Sequence, residues 1–191
     1  MDIAGAGNLV VGSVWCAFEI GLARLRRSSS TQGTQSSDQH SLRVLWGTIA
    51  VSMSAGITLG MFGVGRIPSA WPTLAFVGQA MMVAGLAIRV VAVRTLSKFF
   101  TVDVAIHEDH RVIKEGIYSL VRHPSYAGSV LGFAGVGLCF ASWVSFLVIA
   151  IPVTAAFVHR IRIEERALLD ALGPAYAEYC KQTSRLIPRI Y

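Results

Sequence analysis

Residues 125–158 read SYAGSVLGFAGVGLCFASWVSFLVIAIPVTAAFV, 34 consecutive positions without a charge or a histidine. As one straight helix this stretch would be about 51 Å long, against a hydrocarbon core of roughly 30 Å. A tight hairpin of two short helices fits that thickness better, turning near residues 141–145, and Pro152 is expected to kink its second arm. Outward from the hairpin, residues 9–23, 42–63 and 73–93 form three further apolar stretches, the first marginal in length. The first carries Glu19 and the third Arg89. A charge inside a span marks a functional candidate by default. Both lie near span ends, however, where snorkelling to the interface is the expected behaviour.

Composition puts these stretches in a bilayer. Of 191 residues, 53% are apolar and only 15% charged, and the mean hydropathy is +0.56. A soluble domain carries roughly a quarter charged residues, and a disordered chain far fewer apolar ones. The fold class is therefore all-α: a polytopic transmembrane helical bundle of about five spans, the last two a tight hairpin, plus a C-terminal interfacial helix. The net charge of +6 is not gathered into a basic tract, so nucleic acid is not the expected partner. A basic excess on such a chain suits loops facing anionic membrane lipids. Cys16, Cys139 and Cys180 form no CxxC and no paired framework, and neither a disulfide nor a metal site is read from them. No Lys or Arg precedes Arg24, so the first stretch lacks the basic leader of a signal peptide and is taken as a span.

The basic residues alternate between loops. Arg24, Arg26, Arg27 and Arg43 follow the first span, and only Arg66 follows the second. Arg94, Lys98, Arg111, Lys114 and Arg122 lie between the third span and the hairpin; Arg160, Arg162, Arg166, Lys181, Arg185 and Arg189 follow it. The pattern predicts an integral membrane protein with its N-terminus outside and its C-terminus in the cytoplasm. A bacterial plasma membrane and the endoplasmic reticulum fit equally. The Ser/Gln/Thr-rich run 28–41 has no apolar periodicity and reads as a flexible cytoplasmic linker.

Two polar segments, 94–124 and 159–191, fall on the same predicted face. In the first, His110, Gly116, Tyr118, Arg122, His123, Pro124, Ser125 and Tyr126 lead into a span. Pro124 suits a first helical turn, whose free N–H groups and positive dipole end offer a seat for an anion. Headgroup anchoring explains Arg122 and His123 equally well by position alone. In the second, Arg160 and Glu164 stand four apart, on one helical face. Alone, that run reads as an ordinary solvated pair. Leu168, Leu169, Leu172, Tyr176 and Tyr179 continue an apolar stripe, predicting a helix on the membrane surface. Gly173-Pro174 ends it and begins a second short helix.

The run His110-x-Val112-Ile113, Gly116-x-Tyr118, Arg122-His123-Pro124-Ser125-Tyr126-x-Gly128 resembles the isoprenylcysteine carboxyl methyltransferase family. So does the ending Glu164-Glu165-x-x-Leu168, Gly173-x-x-Tyr176-x-x-Tyr179, Arg185-x-Ile187-Pro188. The resemblance covers roughly residues 94–190. The apolar stretches place three spans in residues 1–93, with the linker at 28–41, and the resemblance implies a catalytic half in 94–191, built from a cofactor-binding loop, the hairpin 125–158 and C-terminal amphipathic helices. It further implies methyl transfer from S-adenosylmethionine to the carboxylate of a lipid-like, prenylated substrate. His110, Arg111, Val112, Ile113, Tyr118, His123, Pro124, Ser125, Tyr126 and Glu164 fall at cofactor contacts, and Arg160 at the substrate carboxylate. Asp103 departs from the pattern, standing where relatives can carry glutamine.

The chemistry of these residue types agrees. A carboxylate with a reference pKa near 3.5 is ionised at neutral pH, so its methylation needs no general base. An arginine fork grips a carboxylate in a way lysine does not. A neutral amine acceptor, as in phospholipid N-methylation, gains nothing from an adjacent arginine. The Arg-His-Pro-x-Tyr run alone also occurs in membrane sterol reductases that use NADPH; the Glu-Glu ending speaks against that class. A scaffold without chemistry leaves the two converging polar clusters unexplained. The sequence carries no signal of oligomeric state.

Overall fold

A computed structural model describes residues 3–25, 36–97, 100 and 112–191. The described chain forms six α-helices: α1 (Ile3–Leu25), α2 (Ser36–Met61), α3 (Thr73–Leu96), α4 (Pro124–Leu138), α5 (Trp143–Leu172) and α6 (Pro174–Gln182). Helices α1, α2, α3 and α5 are long and apolar enough to cross a membrane. The fifth apolar helix, α4, has 15 residues and is about 22 Å long, so it is the short arm of the hairpin.

The hairpin is asymmetric. Residues 139–142 turn between its arms, earlier than predicted, with Ala141 at a φ of 48°. Ser142 caps α5, its hydroxyl accepting the Ser145 N–H at 3.0 Å. From there α5 runs through Pro152 for 30 residues, about 45 Å. The segment expected to lie on the membrane surface, residues 159–172, is instead the continuation of this helix. Gly173, with a φ of 54°, ends it, and α6 is the separate C-terminal helix. Of the run 28–41 expected to form a linker, residues 28–35 lie outside the described residues, whereas 36–41 are the first turns of α2, with Ser41 buried.

Across the bundle the helices stand in the order α1, α3, α4, α5, α2. Lipid is as apolar as leucine, so helices in it associate by close packing and polar bonds rather than hydrophobic exclusion. The α3–α4 seam illustrates this. A Cβ on Gly85 would stand 2.4 Å from the Gly128 carbonyl oxygen, and one on Gly78 2.5 Å from that of Gly135, so the two backbones touch. On the other side, Leu45, Ile49, Phe133, Ile149, Val153, Ala156 and Phe157 join α2, α4 and α5 in one core. The Ser145 hydroxyl crosses to α2 and donates to Gly56 O at 2.9 Å. Outward faces keep Val10, Val14, Val51, Val83, Val91 and Ile151 exposed, as a lipid-facing surface requires.

Helix α1 is held at three levels. Near its start, Asn8 donates to Cys139 O at 3.1 Å and accepts from Gln79 Nε2 at 2.7 Å. Midway, Trp15 packs on Phe133, edge to face at 6.0 Å, above Gly132. Near its end, Glu19 pairs with Arg89 of α3 at 2.8 Å. The snorkelling expected of these two charges is thus corrected: they face each other between helices, with side chains only 14% and 9% exposed.

The touching backbones yield a stability prediction. Gly85→Ala should destabilise the protein by about 1–3 kcal/mol, the range for overpacking a closed interface. Gly12→Ala, where nothing lies within 4 Å of the added Cβ, should be neutral or stabilising by up to about 1 kcal/mol. Thermal unfolding of both variants in one detergent measures the contrast.

Candidate functional site

The site is built from the start of α4 upward. Residues before α4 pair with the C-terminal tail: Val121 and Ser184 form a parallel bridge. The Arg122 N–H donates to Ser184 O at 2.8 Å and the His123 N–H to Arg185 O at 3.0 Å. His123 is then the N-cap and Pro124 the first residue of α4, buried and with no N–H to satisfy. One turn on, the Tyr126 ring stacks on His123, centroids 5.6 Å apart and planes 4° from parallel. Phe157 of α5 backs Tyr126 at 5.1 Å.

Adjacent carboxylates of α5 serve different neighbours, because consecutive helical positions point about 100° apart. Glu165 takes Arg122 Nε on one oxygen and Arg185 Nε on the other, each at 2.8 Å, with His123 Nε2 at 3.4 Å. Arg122 also donates to Cys180 O at 3.1 Å and to the Thr183 carbonyl. Glu165 therefore ties α5, the start of α4 and the tail together through charge-assisted bonds. Glu164 turns the other way, and its Oε2 accepts from the Tyr126 hydroxyl at 2.7 Å. One turn earlier on α5, Arg160 is 1% exposed. It faces the same phenol and donates to the Ser41 hydroxyl of α2 at 2.6 Å.

Of the residues expected at the site, His123, Tyr126, Arg160 and Glu164 converge, and Pro124 supports their turn. Ser125 does not join them: its hydroxyl and carbonyl accept from Arg89, toward α3, both at 3.1 Å. Tyr118 is buried one layer away, donating to Ala92 O at 3.4 Å and accepting the Tyr179 hydroxyl on its carbonyl at 2.6 Å. Val112 and Ile113 form half-buried chain leading to the turn Gly116–Ser119. His110, Arg111 and Asp103 lie outside the described residues. Burial pushes the Tyr118 and Tyr176 phenols above their ordinary range and Tyr179 up to about 12. These three are protonated at neutral pH and act as donors, not bases.

Four participants escape the sequence reading. Glu165 was visible only as the neighbour of Glu164, and Arg185 only as part of a terminal pattern. Ser41 is one serine in a serine-rich run, and nothing local marks it as the partner of a residue 119 positions away. Arg89 reads as an interfacial charge until its acceptors on α4 are seen.

Comparison with known proteins bears on the same residues. The family model for isoprenylcysteine carboxyl methyltransferases matches residues 78–170. Protein-S-isoprenylcysteine O-methyltransferase B of Arabidopsis thaliana is 30% identical over 113 residues, 58% of this chain and 57% of that protein. A probable protein-S-isoprenylcysteine O-methyltransferase of Oryza sativa subsp. indica is 31% identical over 119 residues, 61% of this chain and 62% of its own length. The chain thus spans less than two thirds of the curated relatives it matches. The solved structure of a eukaryotic intramembrane Ras methyltransferase superposes with a TM-score of 0.63 at 23% identity, over 74% of this chain and 52% of that one, and shares its fold. The matched region takes in the α3–α4 seam, the start of α4 and the Arg160–Glu165 turn of α5, and over it this membrane protein is similar to the isoprenylcysteine carboxyl methyltransferase family.

Proposed function

We propose that the protein transfers a methyl group from S-adenosylmethionine to the carboxylate of an isoprenylcysteine or related prenyl-lipid. The observation that carries this reading is the meeting of Arg160, Glu164 and Tyr126 at the first turn of α4. A buried arginine beside an anchored carboxylate gives one place for an anion and one for a cation, side by side.

The donor set fits such a methyl donor. When bound, S-adenosylmethionine supplies an electrophilic methyl on a sulfonium. Glu164, its rotamer held by the Tyr126 hydroxyl, suits the donor's ammonium or an adenine N–H. The first turn of α4 has unsatisfied N–H groups for a carboxylate, and the stacked His123–Tyr126 pair offers a flat, cation-attracting face.

Arg160 is the group proposed for the acceptor. Its guanidinium holds a carboxylate by two parallel bonds, and its burial excludes water that would weaken them. The acceptor attacks as an anion, so the chain needs no base, in keeping with the raised phenols nearby. What the residues contribute is positioning, which is worth roughly 7–11 kcal/mol of barrier in well-aligned systems. By the distribution of Lys and Arg, the end of the bundle carrying the site is proposed to face the cytoplasm.

Two measurements test this reading. Titration calorimetry of the detergent-purified protein with S-adenosylhomocysteine should show micromolar binding, weakened about tenfold or more in Glu164→Gln by loss of a charged partner. Arg160→Lys keeps the charge and loses the fork. It should lower turnover of N-acetyl-S-farnesylcysteine by about 100-fold, with donor affinity nearly unchanged. Full turnover in both variants would refute the site assignment. Wild-type turnover of ethanolamine headgroups in place of the prenylcysteine acid would move the acceptor to the amine class.

A further inference from the structure

The pair Glu19–Arg89 lies outside the Arg160–Glu164 site and is not needed to explain the bundle. Helices α1, α3 and α4 are already joined at the opposite end by a neutral clasp, Gln79 to Asn8 and Asn8 to Cys139 O. A neutral clasp avoids the desolvation that burying two charges entails. The charged version at the site end therefore calls for a separate reason.

The geometry of Arg89 supplies one. Its guanidinium is split between two tasks. Nη2 donates to Glu19 Oε2 at 2.9 Å and Nε stands 2.8 Å from Oε1, an ion pair that balances the charge. Nη1 reaches the first turn of α4, donating to Ser125 O and Ser125 Oγ at 3.1 Å each and to the Ser129 hydroxyl. The side chain reaches these acceptors by passing Gly128, where a Cβ would stand 2.9 Å from Arg89 Cγ. Ser125 is flanked in sequence by Pro124 and Tyr126, and His123 is two residues before it.

We infer that Arg89 is a positioning residue for the methyl-donor site: backed by Glu19, it holds the Ser125 turn that aims His123 and Tyr126. The inference rests on the methyltransferase reading above. Because Glu19 neutralises it, Arg89 acts through placement rather than through its field. Charge-assisted bonds to a backbone carbonyl and two hydroxyls fix that turn more firmly than neutral ones. Helix α1, which has no residue in the site itself, thereby gains a part in donor binding.

The test replaces the ion pair by amides, Glu19→Gln with Arg89→Gln, imitating the clasp at the far end. Beside it stand Asn8→Leu with Gln79→Leu, which removes that far clasp, and Ser129→Ala, which removes one Arg89 acceptor while leaving both charges. Each is titrated with S-adenosylhomocysteine and assayed with N-acetyl-S-farnesylcysteine, and its melting temperature is recorded. The amide pair should weaken donor affinity about tenfold, the loss of a charge-assisted bond, and raise the donor KM with the acceptor KM within about twofold. Ser129→Ala should weaken donor affinity about threefold, a fraction of that loss, and it serves as the test should the amide pair fail to fold. The far-clasp variant should melt lower yet bind the donor like wild type. Wild-type donor affinity in the amide pair or in Ser129→Ala, or donor affinity in all variants simply following melting temperature, would overturn this inference alone. No binding by folded wild type would overturn the methyltransferase reading and this inference with it.

Discussion

The bundle depends on how closely α3 and α4 approach. In lipid no hydrophobic force pushes helices together, so their contact must come from packing density and from polar bonds. Gly78 against Gly135 and Gly85 against Gly128 let backbone meet backbone. That approach lets Arg89 pass Gly128 and reach the first turn of α4. Wider spacing would leave its guanidinium short of Ser125 and would loosen the turn carrying His123 and Tyr126. Helix position and site geometry are thus set by one seam.

Carboxylates then organise the basic residues. Glu19 takes Arg89, and Glu165 takes Arg122, Arg185 and His123. Each lies between elements far apart in sequence, and each would be costly to bury without its partners. Glu165 is the outer tie, holding the tail to the start of α4, while Glu19 is the inner tie, holding α1 to the same turn. Between the two stand Tyr126, Glu164 and Arg160, reached from both sides by elements that those ties keep in place. A site made this way can remain polar inside an apolar bundle because each of the surrounding charges has a partner.

Much of this was legible beforehand. The 34-residue uncharged run required a hairpin, because membrane thickness limits what one helix can span. The spacing of Arg160 and Glu164 put them on one face, and Pro124 marked a helix start. The asymmetry of the hairpin was not legible. Nothing in residues 159–172 distinguishes a surface helix from the continuation of a span, since both carry an apolar stripe and charges. Ser41 and Arg185 were also invisible as site partners, one within a serine-rich run and one in a terminal tail.

By itself the sequence determined the class of the protein, the approximate positions of its apolar helices and the polar segments between them. Hydropathy and helical period are local properties, summed over neighbouring residues, and no tertiary contact is needed to read them. Only the tertiary structure decided which partner each charge takes. Arg122 meets Glu165 across 43 positions, Arg89 meets Glu19 across 70, and Arg160 meets Ser41 across 119. Such choices turn on distances of a few ångströms between helices, and those distances follow from where glycines let backbones touch.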